Sequence, residues 1–346
     1  MRCPHCGKKN VEQARFCVAC GESLEERPAV MRMHPPVPGA EPSVPSVQQP
    51  AANAQQPALA TKATRGRRPR KGRTTFALSL LAQGLVVVFE VFGVLVCMPL
   101  HLNEEYGATM GGALGVVVAT ALLGGISLFV FRREALAESF RQGWWFLVVN
   151  GGLLVFSVAE LLLDSSMVVA DGWPLRVTGL LVLCLAIGVM EEGMFRGLLL
   201  HGMLAAFGRT WRSVHVVIIV SSVLFGLAHI DFAAVSLADP MSVAQAVLKT
   251  VQTGLLGYLL SVLTLRTKSL VGCAALHGLG DFMLLVVAMG LCGDSLDVSY
   301  VASGSEAVET AILYVVIIAL YVPLAIRGYR LLRTIDPPQY GAFYRE

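Results

Sequence analysis

An all-α polytopic membrane bundle of about eight transmembrane helices, with a small four-cysteine zinc ribbon at its N-terminus, is the fold class this sequence predicts. Three observations carry that reading. Apolar runs of membrane-crossing length recur from Phe76 to Ile326, positive and negative charges alternate between successive junctions, and two C-x-x-C knuckles stand alone at the start. Over 346 residues the chain is 55% hydrophobic and only 15% charged, with a mean hydropathy of +0.65. That balance excludes an ordinary water-soluble globule. The opening is a cysteine motif rather than a basic patch followed by an apolar core, so no cleavable signal peptide is expected.

Residues 1–24 contain Cys3-Pro4-His5-Cys6-Gly7 and Cys17-Val18-Ala19-Cys20-Gly21. Two such knuckles deliver four thiolates to one tetrahedral zinc, and the glycine after each permits the tight turn that aims backbone amides at sulfur. A segment this short has no hydrophobic core, so the metal supplies its folding energy and its role is structural. A redox dithiol is the rival reading, but no thioredoxin-like βαβ pattern surrounds it. Reduced thiolates favour the cytosol. Cys97, Cys184, Cys273 and Cys292 lie scattered in apolar segments and read as small core residues.

Residues 25–75 form a linker: a Pro-, Ala- and Gln-rich stretch without periodicity, expected to be disordered, then a basic cluster from Lys62 to Arg73. Its position just before the first apolar run points to anionic headgroups rather than nucleic acid. The membrane domain occupies 76–335, followed by a tail at 336–346. Spans are expected near 76–99, 109–131, 144–163, 177–200, 214–236, 243–265, 270–290 and 310–326, each close to the ~20 residues needed to cross. With the basic cluster inside, the inner junctions hold Arg141, Arg212, Arg266 and Arg330, and the outer ones Glu104, Asp164, Asp239 and Glu306. This positive-inside pattern places both termini in the cytosol, of a bacterial plasma membrane on the look of the ribbon. Arg176 and Lys249 are exceptions, read as snorkelling at span edges.

The chemistry concentrates at Met190-Glu191-Glu192-Gly193-Met194-Phe195-Arg196, inside the apolar run from Val177 to Leu200. Ionisable residues in a span are costly and usually face a bundle interior or a wet cavity. Glu192 and Arg196 are four apart with the acid first, the favourable order for an intrahelical ion pair. Glu191 lies about 100° round the helix and remains available. A packing pair with an idle, protonated Glu191 reads equally well from this segment alone. Two further spans contain Phe225-Gly226-Leu227-Ala228-His229 and His277-Gly278-Leu279-Gly280-Asp281. His277 and Asp281 share a helical face, where a carboxylate orients an imidazole or both reach one water or metal. Gly193, Gly197, Gly226, Gly278 and Gly280 allow close helix approach. Glu90, Asn150, Glu160, His201 and Gln252 read as packing groups or cavity lining, and His215 as interfacial.

The motifs E-E-x-x-x-R at Glu191–Arg196, F-x-x-x-H at Phe225–His229 and H-x-x-x-[N/D] at His277–Asp281, in this order on separate helices, resemble the CAAX-protease and bacteriocin-processing family of intramembrane endopeptidases. The likeness covers about residues 140–330. It implies a helical bundle with its cavity inside the membrane, Glu191 as base on a water assisted by His229, and an oxyanion stabilised around His277. Glu192 and Arg196 match the supporting acid and base. Asp281 departs from the Asn frequent at the last position; an ionised Asp cannot donate to an oxyanion, so orienting His277 or binding metal suits it better. The family is described both as metal-dependent and as metal-free. Glu191, His229, His277 and Asp281 are therefore candidate ligands of a catalytic divalent metal, although Glu191 would then serve as both ligand and base.

The expected activity is endopeptidase cleavage of a membrane-associated peptide near the cytosolic surface. The partners are the lipid bilayer, the peptide substrate and a cytosolic protein bound by the ribbon, with no nucleic acid. A proton-coupled transporter using the same residues as a relay, and a scaffold with a partner-binding ribbon, are the competing classes. Glu191 and His277 are expected about 10 Å from the cytosolic face at 1.5 Å per residue, so a shared site requires a long or tilted fifth helix to bring His229 to them.

Overall fold

A computed structural model describes residues 2, 68–100, 103–123, 133–208, 210–294, 300–304 and 306–334. The ribbon cysteines Cys3, Cys6, Cys17 and Cys20, most of the linker and the 336–346 tail lie outside the described residues. Among the described residues every element of secondary structure is helical. The helices are α1 (Arg68–Cys97), α2 (Glu104–Leu123), α3 (Arg133–Leu163), α4 (Trp173–Glu192), α5 (His201–Phe207), α6 (Trp211–Leu227), α7 (Pro240–Thr267), α8 (Val271–Leu285) and α9 (Glu306–Leu332). A π-helical segment, Gly193–Leu200, joins α4 to α5, and another, Val286–Cys292, extends α8.

Seven runs are long and apolar enough to cross a membrane, and Trp211–Leu227 is a shorter apolar helix. Large apolar side chains such as Leu81, Phe92, Leu162, Val155 and Ile312 stand exposed along α1, α3 and α9, as lipid contact requires. This is an integral, multi-pass membrane protein.

The boundaries depart from expectation at three places that matter. First, α1 begins at Arg68 within the basic cluster, because Pro69 is tolerated in a first turn and Lys and Arg continue a helix readily. Second, the fourth span does not stop at Leu200. The π segment keeps the backbone helical, so Trp173–Phe207 is one run of 35 residues with Glu191 at its middle. Third, α6 ends at Leu227 instead of running to residue 236, and turns follow as far as Asp239, whose side chain caps α7 at Met241 N. The long or tilted fifth helix is therefore absent. Glu191 lies deeper than the expected edge placed it, and a short helix suffices to bring His229 alongside.

Helix directions follow from close approaches. Gly188 abuts the Ala274 carbonyl while Gly278 abuts the Cys184 carbonyl, so α4 and α8 run antiparallel. Gly226 meets the Thr250 carbonyl and Gly254 meets that of Ser222, which makes α6 and α7 antiparallel too. A Cβ on Gly278 would lie 2.5 Å from the Cys184 carbonyl oxygen and 2.9 Å from Leu185 Cα, backbone atoms that cannot swing aside. Gly278→Ala should therefore lower stability by about 1–3 kcal/mol through overpacking. A fall in the thermal unfolding midpoint in detergent is the check; an unchanged midpoint would refute the packing assignment.

Candidate active site

Four helices meet at mid-bundle. Glu191 and Glu192 close α4, His229 sits in the turn beyond α6, α8 carries His277 and Asp281, and α7 supplies Lys249 and Gln252. The switch from α to π winding falls at Glu192–Gly193, the sort of local expansion that recurs at functional sites because it re-aims side chains.

The lower tier is an ion pair with an imidazole on it. Arg196 Nη1 donates to Glu192 Oε1 at 2.9 Å, and His277 Nδ1 approaches the same oxygen at 2.8 Å. Glu192 is fully buried and Arg196 is 1% exposed, so the pair has no solvent to fall back on. The Arg196 guanidinium also lies 4.0 Å over the Phe225 ring, a cation–π contact. Gly257 on α7 makes room for it, since a Cβ there would come within 3.1 Å of Arg196 Nη2 and 3.0 Å of Phe225.

The upper tier faces the cavity. Glu191 Oε2 lies 3.6 Å from His229 Nε2 and 3.7 Å from His277 Nε2, just beyond hydrogen-bond length. His277 Nε2 is also 3.4 Å from Asp281 Oδ2. His229 directs Nδ1 at the Phe225 carbonyl, 2.8 Å away. Only an N–H can satisfy that carbonyl, so a neutral His229 keeps the Nε2 lone pair on the Glu191 side. Phe225 is fully buried and edge-packs against both imidazoles, at centroid distances of 4.8 Å (His229) and 5.9 Å (His277).

Phe225→Ala should cost about 3–5 kcal/mol from the lost ring and the void it leaves. Turnover should fall further than stability explains, because both imidazoles lose their backing. Unfolding midpoints and activity measured well below that midpoint separate the two effects.

The structure thus brings together the sequence-predicted Glu191, Glu192, Arg196, His229, His277 and Asp281. Glu191, His229, His277 and Asp281 border a cavity of about 420 Å³, where Glu191 keeps 19% and Asp281 24% of side-chain exposure, while Glu192 and Arg196 are buried behind them. Two members of this lining escaped the sequence reading. Lys249 is not snorkelling at a span edge: it stands well inside α7, with Nζ 4.0 Å over the Tyr300 ring. Tyr300, in the segment before α9, covers the cavity beside His229 with ring centroids 6.2 Å apart. Burial, then the Asp281 and Glu191 charges, push the Tyr300 hydroxyl well above the usual tyrosine range, so it remains a proton donor. A lone basic residue off-pattern in the charge alternation was the one signal that could have found Lys249.

Of the other polar residues, Glu90 and Gln252 line the cavity. Asn150 is a packing group, accepting from Tyr321 OH at 3.1 Å and donating to the Phe146 carbonyl. Glu160 is exposed, His201 fully buried. His215, read as interfacial, is half-buried against Tyr258 and Tyr329.

The four candidate metal ligands do not form a ligand set. Among the described residues no three His, Cys, Asp or Glu side chains are arranged to hold a metal ion. His277 Nδ1 is committed to Glu192, and its Nε2 lies 3.4 Å from Asp281 Oδ2 and 3.7 Å from Glu191 Oε2.

An acid flanked by two imidazoles is thus enclosed among helices long and apolar enough to cross a membrane. Residues 173–283, which contain every one of the sequence-predicted side chains, match the family model of Type II CAAX prenyl endopeptidase Rce1-like proteins, and residues 2–24 match that of a zinc-ribbon domain. The chain thus contains one stretch similar to Rce1-like CAAX endopeptidases and, at its N-terminus, another similar to a zinc ribbon. No curated protein and no solved structure matches it.

Proposed function

We propose that this protein is an intramembrane endopeptidase that hydrolyses a peptide bond of a membrane-associated substrate through water activated by Glu191. The convergence of Glu191, His229 and His277 on one cavity among spanning helices is the observation that carries the proposal.

In this mechanism a water in the cavity is positioned by Glu191 and by the Nε2 lone pair of His229. As its oxygen bonds to the scissile carbonyl carbon, its proton passes to the Glu191 carboxylate. Collapse of the tetrahedral adduct breaks the C–N bond, and the same proton is returned to the departing amine. His277, held by Glu192 on one side and Asp281 on the other, fixes the orientation of Glu191. Both of its nitrogens already face carboxylates, so the oxyanion is better served by Lys249 and the Tyr300 hydroxyl, which border the same space. Cys3, Cys6, Cys17 and Cys20 would hold a structural zinc in the ribbon, apart from this chemistry.

The test is hydrolysis by the purified full chain in detergent or liposomes, using membrane-anchored peptides in isotope-labelled water. Label in the new C-terminal carboxylate, lost in the Glu191→Gln protein, is the expected result. A proton-gradient-driven flux without cleavage would replace the peptidase with the transporter.

A further inference from the structure

We infer that the cavity opens on the membrane face opposite the basic N-terminal segment, so that the substrate is a peptide segment displayed on the extracytosolic side. That such a segment is cleaved rests on the peptidase reading; the placement of the mouth does not.

The helix directions fix the two faces. The start of α1 packs on α5: a Cβ at Gly202 would meet Phe76 and Ser79. The end of the 35-residue run therefore shares a face with Arg73. Antiparallel α4 and α8 place the start of α8 on that face. A Cβ at Gly143 would meet Leu276 and one at Gly280 would meet Phe146, so α3 runs parallel to α8 and starts on that face; Arg327 near the end of α9 lies 6.0 Å from the Trp145 ring of α3, which adds the end of α9.

Between this face and the site the bundle is solid. Leu198, Leu200, Val214, Ile218, Val262 and Leu270 are all at most 1% exposed and belong to one continuous apolar cluster. None of the residues that line the cavity belongs to that cluster.

The cavity lining runs the other way. From Glu191 it passes Ile187, Cys184 and Leu180, toward the start of α4, and Leu285 and Met289, toward the end of α8. It reaches Glu105 in the first turn of α2 and Tyr300 in the segment before α9. That segment is pinned as a rim: Gln245 exchanges two hydrogen bonds with the Ala302 backbone, at 2.8 and 3.0 Å, and Tyr314 OH donates to the Tyr300 carbonyl at 2.8 Å.

The charge pattern then orients the bundle. Arg141, Arg212, Arg266, Lys268, Arg330 and Arg333 lie at helix ends on the plugged face, while Glu104, Asp164, Asp239, Asp294 and Glu306 lie on the side of the mouth. Cations mark the cytosolic face. Cleavage near the cytosolic surface, expected from the depth of Glu191 in an undersized span, gives way to access from outside. Prenylated cytosolic tails are then excluded as substrates, and a translocated juxtamembrane peptide is favoured.

Cysteine accessibility tests this without any turnover. Ser303→Cys marks the mouth side, Met289→Cys the cavity wall and Arg212→Cys the opposite face, each read as labelling above the parent chain. With a membrane-impermeant maleimide on intact cells, Ser303→Cys and Met289→Cys should label severalfold above parent, and Arg212→Cys only after permeabilisation. Leu285→Cys, one turn deeper than Met289, should behave as Met289→Cys does and guards against a local packing fault. Labelling of Arg212→Cys in intact cells, or of the two cavity positions only after permeabilisation or not at all, overturns the inference. The same cysteines in a Glu191→Gln background should label identically, so a failure of the peptidase reading leaves this result standing.

Discussion

Glu191→Gln should reduce peptide hydrolysis by about 10²–10⁴-fold while the protein inserts and folds as before, the range expected on removing a positioned general base. In barrier terms that is about 3–5 kcal/mol of lost transition-state stabilisation. The substitution keeps the size of the side chain and changes only its capacity to accept a proton, so packing against His229 and His277 is preserved. Glu191 is also the acid that remains after Glu192 is committed to Arg196 and His277, and it is the carboxylate that lies against both imidazoles, 3.6 Å from His229 Nε2 and 3.7 Å from His277 Nε2. The measurement is kcat/KM at several pH values alongside the thermal unfolding midpoint. Retained turnover would remove Glu191 from the chemistry, and a collapsed midpoint would reassign it to structure.

Arg196→Met should have a large effect on stability. It strips the cation from a carboxylate with no exposed surface, and breaking a buried pair from one side typically costs about 3–5 kcal/mol. Arg196 Nη1 and His277 Nδ1 share Glu192 Oε1, so a loosened Glu192 also frees His277. Activity should fall with stability. The double variant Glu192→Gln/Arg196→Met should recover much of the unfolding midpoint, since neither charge is then left unpaired, but not the activity, since His277 still lacks its carboxylate. A double-mutant cycle on the unfolding midpoints gives the coupling directly. Additive losses would show that the two side chains do not interact.

Much of the site was legible because helical spacing is a local rule. Residues four apart meet on any α-helix, so the Glu192–Arg196 pair and the His277–Asp281 face follow from chain positions alone. Charge alternation along the chain likewise reports helix direction one junction at a time. The sequence by itself determined a helical membrane bundle, a four-cysteine ribbon motif ahead of it, and which acids and imidazoles had to be accounted for.

The tertiary structure decided the rest. It set the early end of α6, the run of α4 through a π segment to Phe207, the attachment of His277 to Glu192, and the place of Lys249 and Tyr300 on the cavity. It also decided which end of the bundle is filled with leucine and valine and which is open. Each of these depends on the axial offset between helices far apart in sequence. That offset comes from where glycines let backbones touch and where side chains interlock, a relation between chain segments that no single segment encodes.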